Sequence, residues 1–292
     1  MRWQLHVAKL AVMGRLPFGA RLRAVKRRFL GYPPNRGNLK GTLRDLEEMV
    51  GELAGMGRSL KGATVLEIGS GWFPVIPVML AAADAQRVYL SDLTPRIDRG
   101  TLAATLGFLR SEHKDLGVVK HASRLEDFPF VYLAPLDLRR VEDQSVDFIM
   151  SRAVLEHIQK DDLLTLFRSL RPKLKADGLM LHCVDHSDHL EHHDKRLTKV
   201  NFLTWSDRLH TLVNALTREG ENRLRHSDYV GLLAECGYEV IKANACMHEP
   251  TRQIAKGLRL APRFRDLTPD EIAVLRSVYV AGLREPRADF RD

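Results

Sequence analysis

The apolar positions of the chain fall into short runs that are separated by polar or glycine-containing turns. From Lys61 onward, runs typical of buried strands alternate with stretches of helical periodicity. This alternation predicts a largely parallel sheet with helices on both faces. We place seven strands, and the range of the fourth includes the polar turn that leads into it. The ranges are 63–68, 87–92, 130–137, 143–151, 179–185, 238–245 and 277–283. The last of these also fits the tail of a helix beginning at Pro269, and we assign it to a strand because it completes the sheet.

Helical periodicity and turn residues fill the intervals between these strands. Helices are expected at about 42–57, 74–84, 96–109, 161–173 and 227–236. Two further short helical candidates lie near the N-terminus, on either side of a turn at 14–19, and a loop is expected at 33–37. The stretch from 186 to 226 lies between the fifth strand and the next helix, and its length predicts a lid or an acceptor pocket.

A glycine turn follows the first predicted strand and gives the first chemical signal. Glu67 ends an apolar run, and Gly69 and Gly71 follow it with Ser70 between them. Glycines permit positive φ and a close approach of the backbone to a ligand, and the helix that follows adds free N–H groups. The spacing is neither that of a dinucleotide fingerprint nor that of a P-loop. A nucleotide-type pocket without a pyrophosphate cradle is therefore expected, and a glycine turn in an unrelated unit is the alternative.

Composition narrows the class of protein. The 292 residues are 45% hydrophobic, which is enough for one sizeable core. The three cysteines, Cys183, Cys236 and Cys246, lack the spacing of a zinc site or a disulfide framework. No apolar run approaches the ~18 residues of a membrane span, and no signal-peptide core is present. These features favour a cytoplasmic protein.

The positive charge of the chain is concentrated at its N-terminus. Of the net charge of +8, residues 1–44 supply 11 Lys/Arg and no Asp/Glu, so the remaining residues carry 34 basic and 37 acidic side chains, or −3. A nucleic-acid partner is therefore not favoured. The second N-terminal helix is basic and amphipathic, with Leu22, Val25 and Phe29 on one face. It could cover the domain or its cleft, rest on an anionic membrane at the inner surface, or act as a targeting peptide.

Two further predicted strands end in acidic residues. In doubly wound sheets, ligands bind at the carboxyl ends of the strands, so Asp92 should lie beside the glycine turn. Its distance from the first strand suits hydrogen bonding to a ribose diol, and a helix N-cap is the alternative. Asp137 ends the third strand in the same way. An acidic crevice of this kind attracts a cationic cofactor and repels a phosphate-bearing one.

Four segments in this order resemble the class I S-adenosylmethionine-dependent methyltransferases across residues 60–285. They are 65–71, Asp92, 143–149 and 154–158. The resemblance implies a Rossmann-like α/β fold whose seven-stranded sheet is mostly parallel, with the last strand antiparallel. It also implies S-adenosylmethionine as cofactor. The residues it places at the cofactor are Glu67, Gly69, Ser70, Gly71, Asp92, Leu93, Asp137, Leu138, Ser151 and Arg152. Trp72 replaces the third glycine that is frequent in the family.

The acceptor side is expected in the histidine-rich insertion. Six of the 12 histidines fall between His186 and His226. His189 or His186 could act as general base, oriented by Asp185 or Asp188, because imidazole titrates near neutral pH. A divalent metal held by Asp185, Asp188 and a histidine is a less favoured reading, and an ordinary polar surface is the third. His157 is either a catalytic residue near the methyl group or a structural histidine at a helix start.

Together these patterns predict a basic helical arm at 1–58, a methyltransferase domain at 59–285 with its insertion at 186–226, and a tail at 286–292. The expected reaction is methyl transfer to a hydroxyl of a small molecule or saccharide, because the layout loosely resembles bacterial glycan methyltransferases. One form of this hypothesis has the saccharide linked to a lipid. The alternatives are N- or O-methylation of a quinone, polyketide or other metabolite, and a non-catalytic protein that binds the cofactor or a partner.

Overall fold

A computed structural model describes residues 2–15, 35–217 and 220–284. Its centre is one seven-stranded sheet in the order β3-β2-β1-β4-β5-β7-β6. All neighbouring strands pair in parallel except β7, which pairs antiparallel with both β5 and β6. The strands are β1 Thr64–Ile68, β2 Arg87–Ser91, β3 Phe130–Leu133, β4 Val146–Arg152, β5 Leu174–Asp185, β6 Tyr238–Met247 and β7 Val274–Leu283. The mostly parallel sheet with an antiparallel last strand confirms the predicted fold class.

Nine α-helices lie in the described part of the chain. They are α1 Trp3–Arg15, α2 Arg36–Gly55, α3 Val75–Ala82, α4 Arg99–Ser111, α5 Lys160–Leu170, α6 Asp207–Thr217, α7 His226–Glu235, α8 Glu249–Ala255 and α9 Pro269–Ala273. Short 3₁₀ turns connect several of them, including Leu155–His157 and His189–His192. The basic helix predicted around Leu22 and the tail at 286–292 lie outside the described residues.

Local chemistry explains where the structure differs from the expected boundaries. Helix α2 begins within the stretch expected to be a loop, because the side chain of Asn35 accepts hydrogen bonds from the N–H groups of Gly37 and Asn38. Helix α9 is only five residues long, so the segment after it is a strand rather than a helix tail. Strand β3 ends at Leu133, four residues earlier than predicted.

The alternation of side chains along the strands produces two separate cores. On one face of the sheet, Val65, Val88 and Phe148 pack with α2 and α3. On the other face, Leu66 and Ile149 pack with α5 and α7. Glu67 is two residues beyond Val65, so its side chain lies on the α2 face at the carboxyl end of β1. Helix α2, grouped with the N-terminal arm by its sequence, therefore packs against the sheet.

The insertion after β5 is a folded cap with a hydrophobic cluster of its own. Its members include Leu190, Phe202 and Val213, and helix α1 contributes Val7. The ring of Trp3 stacks on that of Trp205 with centroids 5.1 Å apart. The cap is thus fixed in place by apolar packing with α1. Among the described residues, no helix is long and apolar enough to cross a bilayer.

Candidate active site

A cleft of about 640 Å³ opens at the carboxyl ends of β1 and β4, between the glycine turn and the first half of α2. This size is typical of small-molecule sites. Its walls include Glu67, Gly69, Ser70, Gly71 and Arg152, all of which the sequence places at the cofactor. The remaining lining residues are Asn35, Asn38, Leu39, Thr42, Trp72, Phe73, Ile76 and Ala153. Helix α2 was not expected at the cleft, and the signal for its position is the N-cap residue Asn35.

The glycine turn adopts a backbone that other residues rarely adopt. Gly69 and Gly71 have φ angles of 76° and 64°. A Cβ atom on Gly69 would lie 2.4 Å from a methyl carbon of Val154, in the segment that follows β4. Only glycine fits at this position, because the turn and the β4 segment pack directly against each other.

Glu67 is a buried carboxylate at the cleft. Its side chain is among the buried polar groups, and its Oε2 atom has no hydrogen-bond partner within the described residues. Burial raises the pKa of Glu67 to about 7; the Asp92 carboxylate adds to this rise and the Ser70 hydroxyl opposes it. An unpaired buried carboxylate is costly, so the position is suited to a cationic group.

Asp92 lies beside the glycine turn, where the sequence predicts it. Its Oδ2 accepts a hydrogen bond from the Gly71 N–H at 3.1 Å. Its Oδ1 accepts bonds from the Leu93 N–H at 2.7 Å and from Arg96 Nε at 3.0 Å. The guanidinium of Arg96 in turn lies 5.3 Å from the centre of the Trp72 ring. Arg96 is therefore a neighbour of the expected ribose site that the sequence pattern did not reveal.

Three further residues expected at the cofactor, Asp137, Leu138 and Leu93, have different surroundings. Asp137 caps a 3₁₀ turn, and both of its carboxylate oxygens accept hydrogen bonds from Arg139. These bonds to Arg139 lower the pKa of Asp137, against a small effect of burial. Leu138 packs against the core, whereas Leu93 is 81% exposed. Their roles at the cofactor stay predictions.

Ser151 and Arg152 end strand β4 on opposite sides of the sheet. The Ser151 hydroxyl is buried and lies 2.8 Å from Nδ1 of His182, whose pKa burial lowers to about 3. Arg152 faces the cleft, where its Nε donates to Asp45 at 2.9 Å. Asp45 also pairs with Arg276 at 3.1 Å. Among the described residues, Arg152 supplies the guanidinium that lines the cleft, and it is paired with a buried carboxylate.

In the segments that follow β4 and β5, five side chains form what we call the acid–imidazole cluster: Glu156, His157, Asp185, His189 and Glu221. Nε2 of His189 lies 3.8 Å from an Asp185 oxygen and 4.0 Å from a Glu221 oxygen. The His157 and His189 rings are 5.0 Å apart between centroids. The structure thus brings together three predicted residues and adds Glu156 and Glu221.

The close packing of these charges alters their protonation. Burial lowers the pKa of His189, but the hydrogen bond to Asp185 and the charges of Glu221, Asp185 and Glu156 more than offset it and raise the value to about 9. Burial raises the pKa of Glu156 to about 8, and Asp185 adds to this rise. The pKa of Asp185 is held well below its ordinary range: burial opposes this, and His189 and Ser187 outweigh it. The carboxylates around His189 thus stabilise its imidazolium form, and burial disfavours the ionised form of Glu156.

The other two predicted catalytic residues have structural partners. His186 is buried, and its ring nitrogens lie 2.9 Å from the Ser277 hydroxyl and 3.2 Å from the Leu224 carbonyl. Burial lowers the pKa of His186 to about 3, with Arg225 adding to the effect. Both oxygens of Asp188 accept backbone N–H bonds, from Leu190 and Phe202. Of the two predicted orienting acids, it is therefore Asp185 that lies next to His189.

Asn222 connects the two segments that carry the cluster. Its side-chain nitrogen donates to the carbonyls of Leu155 and Ile158 at 2.9 and 2.7 Å. Its backbone N–H donates to the Glu156 carbonyl at 2.6 Å. The 3₁₀ turn after β4 is thereby tied to the end of the insertion. A contact between residues so far apart in sequence carries no local signal, so the pattern did not predict it.

The sequence matches the family of methyltransferase domains over residues 26–243. The chain belongs to this family. Together with its seven-stranded sheet, this membership confirms the resemblance stated from the sequence: the methyltransferase is a class I enzyme that uses S-adenosylmethionine. No curated protein is significantly similar to it in sequence.

Solved methyltransferase structures are similar to this chain at low sequence identity. A candidate sarcosine dimethylglycine methyltransferase from Galdieria sulphuraria is 15% identical, with a TM-score of 0.50, over 90% of this chain and 97% of the other. Magnesium protoporphyrin IX methyltransferase from Synechocystis PCC 6803, solved with bound SAH, is 16% identical over 94% and 99% of the two chains, with a TM-score of 0.48. An S-adenosylmethionine-dependent methyltransferase from Mesorhizobium loti is 16% identical over 79% and 95%, with a TM-score of 0.45.

The cleft residues fit this cofactor chemically. S-adenosylmethionine carries positive charge on its sulfonium and amino groups, and the cleft offers the unpaired oxygen of Glu67 while the charge of Arg152 is offset by Asp45. The backbone at Gly69 and Gly71 leaves the turn open to close approach. The residue that a phosphate-binding loop would use, a Lys after the glycines, is absent from the sequence.

Proposed function

We propose that the methyltransferase transfers the methyl group to a hydroxyl of a small molecule or saccharide. The observation that carries this proposal is the acid–imidazole cluster at the carboxyl ends of β4 and β5. A hydroxyl must lose its proton as it is methylated, and an imidazole flanked by carboxylates is a suitable place for that proton. The segment that carries Glu156 and His157 begins at the wall of the cleft, because Ala153 lines the cleft and Glu156 follows three residues later.

We further propose that Glu67, Gly69, Gly71 and Asp92 hold the cofactor. When bound, S-adenosylmethionine supplies an activated methyl group, so the protein mainly has to align the acceptor and exclude water. Glu67 provides a counter-charge, and Asp92 accepts hydrogen bonds beside the glycine turn. Leu93, Asp137, Leu138, Ser151 and Arg152 complete the proposed cofactor residues.

Within the cluster, we assign the central role to His189. It lies between Asp185 and Glu221, and the ring of His157 is its neighbour. Asp185 is a positioning residue, since its carboxylate fixes the His189 ring. His186 and Asp188 support the loop through their buried hydrogen bonds rather than reaching the acceptor.

The insertion at 186–226 is proposed to form the acceptor side, as a cap on the 59–285 domain. Its polar and aromatic residues suit a hydroxylated organic molecule. N-methylation of another metabolite is the competing reaction, and the position of the transferred label distinguishes the two.

The test is transfer of a labelled methyl group from S-adenosylmethionine to fractions of a glycan and lipid extract, using the full-length protein. We expect label on an oxygen of the product and a large loss of turnover in His189→Gln, with unchanged binding of the cofactor. His192→Gln is the matched control from the same turn and should retain turnover. Label on nitrogen, or normal turnover in His189→Gln, would contradict the proposal.

A lipid carrier for the acceptor is suggested by the surface of the cap. Leu5 and Val12 on α1 are 60% and 62% exposed, and Leu212 on the adjoining α6 is 55% exposed. Apolar side chains beside a basic segment favour an anionic membrane surface. Flotation with anionic liposomes should be reduced when Leu5 and Val12 are changed to Gln, but not when the distant, exposed Val118 is changed. Equal flotation of all forms would refute membrane contact through this surface.

A further inference from the structure

Three side chains of the acid–imidazole cluster are arranged like metal ligands. Glu156, His157 and His189 each place one ligand atom so that all three atoms lie within 4.8 Å of one another. Two imidazoles and one carboxylate form a donor set typical of divalent first-row transition metals. The set differs from the one expected from the sequence, because its carboxylate comes from Glu156 and not from Asp185 or Asp188, and two histidines contribute instead of one.

The burial of Glu156 points independently to a ligand. The residue is 2% exposed, and neither carboxylate oxygen has a hydrogen-bond partner in the described part of the chain. A buried carboxyl without partners is costly, and native structures retain one where a ligand or ion satisfies it. The orphaned oxygens belong to the same group as the two histidine nitrogens, so one cation can satisfy all three.

The surroundings increase the attraction for a cation. Asp185 and Glu221 lie within 4.0 Å of the His189 ring nitrogen, so three carboxylates surround two imidazoles in the cluster. The cluster itself includes no Lys or Arg. In a partly buried site such an excess of negative charge is only weakly screened by solvent.

The ligand segments are also held in place before any cation arrives. Asn222 bonds to the carbonyls on both sides of the turn that carries Glu156 and His157. The His189 N–H donates to Glu221 at 3.2 Å. A preorganised donor set costs little to assemble on binding.

We propose that Glu156, His157 and His189 bind a divalent cation of the manganese-to-zinc class, and that this cation ligates the acceptor oxygen. This inference rests on the proposed hydroxyl transfer and replaces a free imidazole base with a metal-assisted one. Mixed nitrogen and oxygen donors favour this class over Mg²⁺ or Ca²⁺, which prefer oxygen alone. Three protein ligands leave positions open for the acceptor and water.

The chemistry balances without a further reactant. Coordination acidifies the acceptor hydroxyl, and its proton passes to water. A lone pair on the acceptor oxygen then forms the bond to the methyl carbon as the carbon–sulfur bond breaks. The electrons of that bond remain on sulfur, which becomes a neutral thioether. The cation changes neither charge nor oxidation state.

The test is titration of the untagged, chelator-stripped full-length protein with Co²⁺, followed by its visible absorption and by calorimetry. We expect one site per chain with nitrogen-ligated Co²⁺ bands. Glu156→Gln and His189→Gln should each weaken binding by at least about 100-fold. His192→Gln, in the same turn but outside the donor group, should leave the affinity unchanged.

Each other outcome has a definite meaning. No binding by the parent protein, or equal binding by the ligand variants, would overturn the metal site. Loss of binding in His192→Gln to the same extent would overturn the proposed donor set. Cofactor titration of the same samples separates the two proposals: a protein that binds S-adenosylmethionine and methylates hydroxyls without metal retains the proposed function and refutes only this inference.

Discussion

Replacing Glu67 by Gln should stabilise the protein without cofactor and weaken its binding of S-adenosylmethionine. The substitution removes a buried carboxyl whose Oε2 has no partner and keeps nearly the same shape. Burial has raised the pKa of Glu67 from 4.5 to about 7. At about 1.4 kcal/mol for each pKa unit, this difference corresponds to roughly 3 kcal/mol of unfavourable ionisation in the folded state.

The pH dependence follows from the direction of this shift. Between pH 4.5 and 7, folded Glu67 keeps a proton that the unfolded chain has lost. Below pH 4.5 the group is protonated in both states and does not reduce the free energy of unfolding. As the pH rises from 4.5 the free energy of unfolding falls, and the loss is complete above about pH 7. The Gln variant does not titrate. Its free energy of unfolding should exceed that of the parent by a small amount at pH 5 and by about 3 kcal/mol at pH 8.

Urea unfolding of the cofactor-free protein at pH 5 and pH 8 measures this difference. The exposed Glu239→Gln on β6 is the control, and its effect should be the same at both pH values. Cofactor binding should respond in the opposite direction, because the cation loses a counter-charge worth about 1.5–3 kcal/mol, or roughly 10-fold or more in affinity. A stability difference between Glu67→Gln and the parent that does not change with pH would refute the reasoning.

Three further substitutions test other contacts. Gly69→Ala places a methyl group 2.4 Å from a Val154 methyl carbon at a positive φ. It should therefore lower the midpoint of thermal unfolding and abolish cofactor binding. The control Gly51→Ala, which has open space at its Cβ, should do neither. Asn222→Ala leaves the carbonyls of Leu155 and Ile158 without their donor, at a cost of about 1–3 kcal/mol in stability. We expect kcat to fall while the Kd for the cofactor stays constant. An unchanged kcat would argue against a positioning role for Asn222. Asp45→Asn should cost about 1.5–3 kcal/mol in urea unfolding, because the bonds of Asp45 to three guanidinium groups lose their charge. A loss as small as that of an exposed ion pair would contradict this.

Local signals were enough to predict the sheet and the acidic glycine turn after its first strand. Apolar runs mark buried strands, and Glu67 with its two glycines forms a turn whose geometry depends on adjacent residues. The last strand was predicted because it completes the sheet, and its antiparallel direction was implied by the family resemblance; β7 confirms both. Boundaries were less predictable: Asn35 starts α2 through a side-chain cap within a stretch that has turn-like composition.

The acceptor side depends on contacts between distant segments. Glu221 reaches His189 across 32 residues, and Asp45 reaches Arg152 across 107. No periodicity encodes these distances. The composition of the insertion suggested Asp188 as a catalytic partner, but its carboxylate is used by the backbone of its own loop. Glu156 gave no signal beyond its place in a familiar motif, and only the fold shows that it is buried without a partner.

Calorimetric titration of the full-length protein with S-adenosylmethionine tests the proposed cofactor site most directly, when it is compared with Asp92→Ala. Asp92 accepts a hydrogen bond from Gly71, and we propose that it binds the ribose hydroxyls, so removal of its carboxylate should weaken binding about 10-fold or more without unfolding the protein. We expect one cofactor per chain for the parent. Absence of binding by the parent protein, or equal affinity in Asp92→Ala, would contradict the proposed cofactor site.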